Sequence, residues 1–473
     1  IFTGVALYML GMLGVGFYAS RRAHTVADFM VAGRGLSLPV CSMTVMATWF
    51  GGAMMLGGAG AAFDSGMLGV IADPWGGALA LLLVGLFFAR VFRRLRIITV
   101  TDFMEQRFGK VAGAGITITT VFSNVMWVAG MLVAFGAIFQ VLTNIPVETG
   151  IIIGAVIVFV YTMVGGMWAV ALTDFFQMTI IIFGLVVLLV VVLVDVGGWG
   201  HIAPSLPSGT FNMLPPENTA EQWLNYLRAW TIIGLVDISA QTLFQRASAA
   251  KTEKIAQQAF YIGGAGYLLF GMIPVFLGII GSVTMPDIAN PEYIIPELAQ
   301  QHLHPVMIAI FVGAMLAAIM SSADSALLGA SSVLSRNVLP FFKRDPSPKL
   351  TLLVARLGVP LFGLVAILIA LRIQVVFDLM VDANILGLAA IIVPFILGVY
   401  WSKANRTGAL SGMGAGLAVW LITMQLWPSL PADFMGLGAS LVVMVIVSML
   451  TQAFDPPRQL ADSDGNPVSA GPG

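Results

Sequence analysis

Runs of about twenty apolar residues, set apart by short polar stretches, recur along almost the whole chain. That length is what an α-helix needs to cross the hydrocarbon core of a bilayer. Thirteen such runs are read at 1–20, 38–58, 66–90, 111–143, 149–168, 174–195, 225–247, 256–282, 304–340, 351–371, 378–400, 405–425 and 431–451. The ten-residue alternating strands of an outer-membrane barrel are absent from the pattern. It predicts an all-α polytopic membrane protein with about 13 transmembrane helices. The first run leads into Arg21 and Arg22 with no small-residue cleavage pattern, so a retained helix is expected and not a signal peptide.

The polar positions between the runs set the orientation, because basic residues stay on the cytoplasmic side. With the N-terminus outside, the inner connections hold Arg21, Arg22 and Arg34; Arg90, Arg93, Arg94, Arg96, Arg107 and Lys110; and Arg246, Lys251 and Lys254. They continue with Arg336, Lys343, Arg344, Lys349 and Arg356; Lys403 and Arg406; and Arg458. That is 20 of 22 basic residues, and only Arg228 and Arg372 fall outside. A miscounted early span would scramble this segregation. The expectation is a multi-pass protein of the plasma (inner) membrane with a cytoplasmic C-terminus. The connections 196–224 and 283–303 lack Lys and Arg and are expected to cap the outer face. Residues 1–451 read as one transmembrane domain, and 452–473 as a short polar cytoplasmic tail without fixed structure.

Composition agrees with this reading. The chain is 59% apolar and 10% charged, against roughly 45–50% and 25% in an ordinary soluble domain. A net charge of −1 offers no basic footprint for nucleic acid. Cys41 is the sole cysteine, which excludes a disulfide scaffold. Gly57–Gly60 and Gly109–Gly115 lack the strand–turn–helix context of a nucleotide loop. No nucleophile elbow or zinc-protease spacing is present, so no enzyme is predicted. His24, His201, His302 and His304 fall in loops or at span ends, which argues against a histidine proton relay.

Ionisable groups inside a span are costly and mark function by default. Asp64, Asp378 and Asp382 lie at span edges, where a hydrated acid or a cap is expected. Asp174 follows Thr173 at the start of a span and is open to the same explanation. Asp324 lies about twenty residues into its run, where no cap accounts for it. Around it, Ala318, Ser321 and Ser322 share one helical face, and Ser321, Asp324 and Ser325 share a neighbouring one. Two oxygen clusters meeting at Ser321 suit a small hard cation. Serines also let helices approach closely, but the central acid favours an ion.

A second source of oxygens is expected where helices break, since unwound backbone frees carbonyls for Na⁺. The run 38–58 contains Trp49-Phe50-Gly51-Gly52. The run 225–247 contains Gly234-Leu235-Val236-Asp237-Ile238-Ser239-Ala240-Gln241, five spans later. Paired interruptions at corresponding places point to a transporter's binding site.

At these residues the chain resembles the sodium:solute symporter family, which includes sodium–glucose, sodium–proline and sodium–sialic acid transporters. Three stretches carry the resemblance: Tyr161–Gly166 leading to Thr173–Gln177; Phe244-Gln245-Arg246; and Ala317–Ser325 continuing to Ser335-Arg336-Asn337. The runs at 47–52 and 321–325 look most like the high-affinity choline transporter branch. The resemblance implies a leucine-transporter-like five-plus-five inverted repeat over about 38–400. It implies a main Na⁺ site from the carbonyls of Ala47, Phe50 and Ala318 and the hydroxyls of Ser321 and Ser322. A second site, for Na⁺ or a proton, is implied at Asp174, Asp324 and Ser325, beside Ser321.

For the solute, two aromatic positions of a choline cage are kept, Trp49 and Trp127, while Gly77 and Ala240 stand where two more would be. A site enlarged at those two positions is therefore expected. Asp73, Trp75, Asp237 and Gln241 complete the candidate pocket. The expected function is Na⁺-coupled import of a small organic solute, choline-like or another amine, by alternating access. A neutral or anionic solute (amino acid, sugar or carboxylate) is the alternative. A transporter-like sensor is disfavoured by the short tail. The partners expected are Na⁺, the solute and the bilayer, with no obligate protein partner.

Overall fold

The computed structural model describes residues 2–143, 145–373, 384–427 and 429–468. Asp378 and Asp382 lie outside this set. The main helices are α1 (Phe2–Ser20), α2 (Leu38–Ala47), α3 (Ala59–Gly69), α4 (Ile71–Leu95), α5 (Lys110–Thr143), α6 (Val147–Asp195) and α7 (Ala220–Gly234). They continue as α8 (Gln241–Ala249), α9 (Glu253–Thr284), α10 (Pro305–Val333), α11 (Pro348–Ala370), α12 (Asn384–Tyr400), α13 (Arg406–Leu426) and α14 (Ala432–Leu450). Among the described residues, eight helices are long and apolar enough to cross a membrane, with shorter apolar helices beside them. No strand is present there, only isolated bridges.

Interruptions do more to shape this bundle than the helices themselves. In α6, Gly166 takes φ 54° and ψ −146°, a region L-residues avoid, and a Cβ there would lie 2.4 Å from the Phe29 carbonyl oxygen. The chain turns at that glycine, so the runs 149–168 and 174–195 are two helices meeting at a corner. This removes the cap as an explanation of Asp174. It lies about two turns beyond the corner, inside the second helix, and Thr173 Oγ1 bonds back to Ala169 O at 2.8 Å and does not cap.

Helix α10 occupies the centre. From Phe311 to Val333 every residue is buried, as expected of a helix that is small or apolar all round and packed among others. A two-bond bridge pins the broken helices together, with Leu36 N to Ala249 O at 3.0 Å and Lys251 N to Leu36 O at 3.0 Å. It joins the approach to α2 with the end of α8.

At one end of the bundle arginines lace the connections. Arg93 Nε donates to Ala250 O at 2.6 Å, Arg94 pairs with Glu253 at 2.7 Å, and Arg107 Nε reaches Gly398 O at 2.9 Å. The tail after Thr451 was expected to lack fixed structure, and its described part is docked here instead. Ser463 N donates to Leu95 O at 3.1 Å, Gln106 Nε2 to Ala461 O at 2.8 Å, and Arg96 pairs with Asp464 at 3.2 Å. Helix ends leave carbonyls unbonded, and the tail supplies some of the missing donors. At the opposite end, Met67 N donates to Thr210 O at 2.8 Å, so the connection after α6 covers the tip of α3. Arg228, set apart by the charge pattern, bridges α7 to Asp433 of α14 at 2.5 Å.

Candidate functional site

Helix α2 stops at Ala47 because the next residues redirect its hydrogen bonds. The Gly51 amide, which would bond Ala47 O in an unbroken helix, goes instead to Trp49 O at 2.8 Å. Thr48 Oγ1 folds back onto Thr44 O at 2.6 Å. Ala47 O is thereby presented to α10, where Ser321 Oγ lies 3.2 Å away and Ser322 Oγ 3.4 Å. Ser321 Oγ is also 2.9 Å from Ala318 O. Ala47, Phe50, Ala318, Ser321 and Ser322 are all buried. The approach requires glycine, since a Cβ on Gly51 would meet Ser322 Oγ at 2.4 Å. The result is a dry cluster of neutral oxygens on two helices, a donor set suited to a hard monovalent cation.

A cavity begins at the same serine. Ser322, Thr48 and Trp49 line it together with Ser123, Asn124 and Trp127 of α5, Asp237 and Ala240 of the α7–α8 break, Gln241 of α8, and Asn384 of α12. The break is a short turn, Val236–Ser239, after which Ala240 takes an extended backbone. Asp237 Oδ2 accepts from Asn384 Nδ2 at 3.4 Å. Gln241 lines the cavity, but its amide is already engaged. Oε1 accepts from Val100 N at 2.8 Å and Nε2 reaches toward Ile98 O at 3.5 Å.

Four of the candidate solute residues thus meet at the cavity, and two do not. Asp73 is not part of the lining and accepts from Tyr267 Oη at 2.5 Å, while Trp75 Nε1 is buried without a hydrogen-bond partner among the described residues. The expected enlargement at Gly77 is corrected by the same tyrosine. A Cβ on Gly77 would meet the Tyr267 ring at 2.9 Å, Asp73 Oδ1 at 3.0 Å and the Trp49 ring at 3.3 Å. Tyr267, from α9, fills the space that an aromatic at position 77 would take, and stands edge-on to Trp49 with centroids 6.4 Å apart. Only Ala240 leaves room. Nothing in the spacing of the sequence links Tyr267 to Gly77, because the pairing is made by helix packing.

Asp174 and Asp324 are also brought together, with a residue that the charge pattern had assigned to a cytoplasmic connection. Arg246 is fully buried. Its Nη2 donates to Ser325 Oγ and lies 3.8 Å from Asp174 Oδ2, to which Thr44 Oγ1 also donates. Helix α8 enters the bundle instead of running along its surface, so this arginine points inward. Asp64, by contrast, is exposed on α3, as a span-edge acid should be.

These features describe a helical membrane protein with two broken helices beside a cluster of buried oxygens and a cavity. A profile of the Sodium:solute symporter family matches residues 29–416, and the chain belongs to that family. High-affinity choline transporter 1 of Drosophila melanogaster is 30% identical over 434 residues, covering 88% of this chain and 69% of that protein. High affinity choline transporter 1 of Homo sapiens is 31% identical over 440 residues, covering 87% and 74%. A solved Na⁺-coupled sialic acid symporter, substrate-bound and outward-open, shares the fold at TM-score 0.83 and 19% identity, covering 97% of this chain and 99% of that one. The protein is therefore a transporter, not an enzyme, and Na⁺ is its coupling ion.

Proposed function

We propose that the chain crosses the plasma (inner) membrane thirteen times, N-terminus outside and C-terminus cytoplasmic, with two inverted five-helix repeats over about 38–400. Within them Ala47, Phe50, Ala318, Ser321 and Ser322 hold Na⁺. The solute is a small organic amine, imported by alternating access. The observation that carries this is the cavity lined together by Trp49, Trp127, Asp237 and Ser322. Aromatic faces attract a desolvated cation by about 2 kcal/mol. Asp237 is half-buried, and a carboxylate partly withdrawn from water favours a countercharge, which an ammonium supplies.

The relatives are named for choline, and the kept pair Trp49 and Trp127 agrees with an ammonium solute. Asp237, Asn124 and Ser123 add hydrogen-bonding groups that a bare trimethylammonium does not use, which favours a solute with N–H or O–H groups as well. Because Ser322 belongs to both sites, Na⁺ and solute each stabilise the same closed arrangement of α2 and α10, which is the differential binding that coupling requires. A negative interior then drives each net charge inward with about 2.3 kcal/mol per 100 mV.

Thermal stabilisation of the purified protein, with and without Na⁺, tests the reading across amines, amino acids, sugars and carboxylates. Stabilisation by amines, enhanced by Na⁺, is expected. A response confined to neutral or anionic solutes would refute the amine assignment.

A further inference from the structure

Gln241 lines the solute cavity, yet both ends of its amide are engaged by a different part of the chain. It is the first residue of α8, directly after the extended Ala240 and four residues beyond Asp237. The side chain is buried and its stem packs against α10, where a Cβ on Gly329 would lie 3.4 Å from Gln241 Cγ. Oε1 accepts from Val100 N at 2.8 Å, and Nε2 reaches Ile98 O at 3.5 Å. Val100 opens the helix Val100–Phe108, so its amide is one of the first-turn donors that no helical carbonyl serves.

The same segment is held from its other side. Thr99 Oγ1 donates to Asn337 Oδ1 at 2.8 Å, in the turn that follows α10. Asn337 Nδ2 donates to Asp102 Oδ1 at 2.9 Å, and Asp102 Oδ2 accepts from Thr99 N at 3.2 Å. Residues 98–100 are thereby clamped between α8 and the end of α10. A recess beyond them is lined by Ile97, Ile98, Lys110, Arg336 and Arg406, and its three basic residues are exposed. Gln241 lines the cavity and Ile98 lines the recess, so their contact is a wall between the two.

We propose that Gln241 is the cytoplasmic latch of the solute cavity: its amide, bonded to the 98–100 backbone, holds the cavity shut, and α8 releases that backbone to let solute out. The proposal rests on the solute placement and the membrane orientation given above. Breaking the latch strands Val100 N and Ile98 O, which is tolerated only when water reaches them. Opening and hydration therefore go together. Because Gln241 adjoins Ala240, a shift of α8 at the cavity acts on the latch directly.

Thiol labelling in membrane vesicles of either orientation tests the latch. The reporter is Thr119→Cys, at a position that lines the cavity, with Cys41→Ser removing the native thiol, and the reagent is a membrane-impermeant maleimide. Labelling from the cytoplasmic face should be slow in this background. Gln241→Leu and Asn337→Ala should each speed it by roughly three- to tenfold, the shift that one or two hydrogen bonds give to a two-state equilibrium. Asn337→Ala breaks the clamp from the side away from the cavity, so it serves even if Gln241→Leu does not fold. Unchanged rates in the folded variants would overturn the latch. So would a rise of equal size from both faces, which reports loosened packing and not an opened gate. An amine that stabilises the protein without slowing the labelling of Thr119→Cys would instead overturn the placement of the solute in this cavity.

Discussion

Gly51→Ala places one methyl group at the point where the broken helix meets α10. The added Cβ would lie 2.4 Å from Ser322 Oγ, 2.9 Å from Ser322 Cβ and 3.1 Å from Met131 Sδ. The hydroxyl can rotate away, but the Cβ cannot, so either the break or α10 must shift. Overpacking of this kind costs about 1–3 kcal/mol. A rotated hydroxyl also leaves Ala47 O, now 3.4 Å away, and takes one oxygen from the proposed Na⁺ site. An oxygen contact to a charged partner is worth about 1.5–3 kcal/mol, which converts to roughly ten- to a hundredfold in Na⁺ affinity. The assay is a Na⁺ titration of the melting temperature, because a ligand of the native state stabilises it by mass action. The variant should melt lower without Na⁺ and need ten- to a hundredfold more Na⁺ for half of its stabilisation. Combined with Ser322→Gly, the stability costs should be less than additive, since the two changes share one contact. A Gly51→Ala protein that titrates with Na⁺ like the wild type would refute the close-approach argument and the role of Ser322 with it.

Ser321→Ala and Ser322→Ala should each weaken Na⁺ activation of uptake, because each deletes one oxygen of the cluster; uptake with unaltered Na⁺ dependence in both would dismiss the site. Trp127→Ala should cost an amine solute about 2 kcal/mol in competition binding and a neutral solute far less, and equal losses for both would argue against a π-held cation. Asp237→Asn should likewise weaken amines selectively, and a gain in amine affinity would show that the carboxylate does not face the solute. Tyr267→Phe removes the hydroxyl that serves Asp73 and should lower thermal stability by about 1–3 kcal/mol; an unchanged melting temperature would show that Asp73 finds another donor.

Much of the site was legible because membrane spans punish exceptions. An acid or a serine pair inside an apolar run stands out where every other residue is lipid- or core-compatible, which is why Asp324, Ser321 and Ser322 emerge from the sequence alone. The break at Trp49–Gly52 was visible for the same reason, as glycines in mid-span weaken a helix. The sequence leaves a cap open for Asp174 because the corner at Gly166 lies eight residues earlier, and nothing local distinguishes a span's start from its interior when two helices meet without a polar connection.

The sequence by itself determined the membrane class, the segregation of basic residues and the in-span acids and serines that are candidates for Na⁺, because bilayer thickness and charge cost act on each segment separately. The tertiary structure alone decided which of those residues meet. Whether Arg246 faces water or the core depends on how α8 enters the bundle. Whether Gly77 leaves a void depends on Tyr267, which arrives from a helix nearly two hundred residues away in the chain. Whether the tail is ordered depends on unbonded carbonyls at helix ends from elsewhere in the chain. Each is a contact between distant segments, set by packing and by the need to satisfy buried polar groups, and no local pattern encodes the partner.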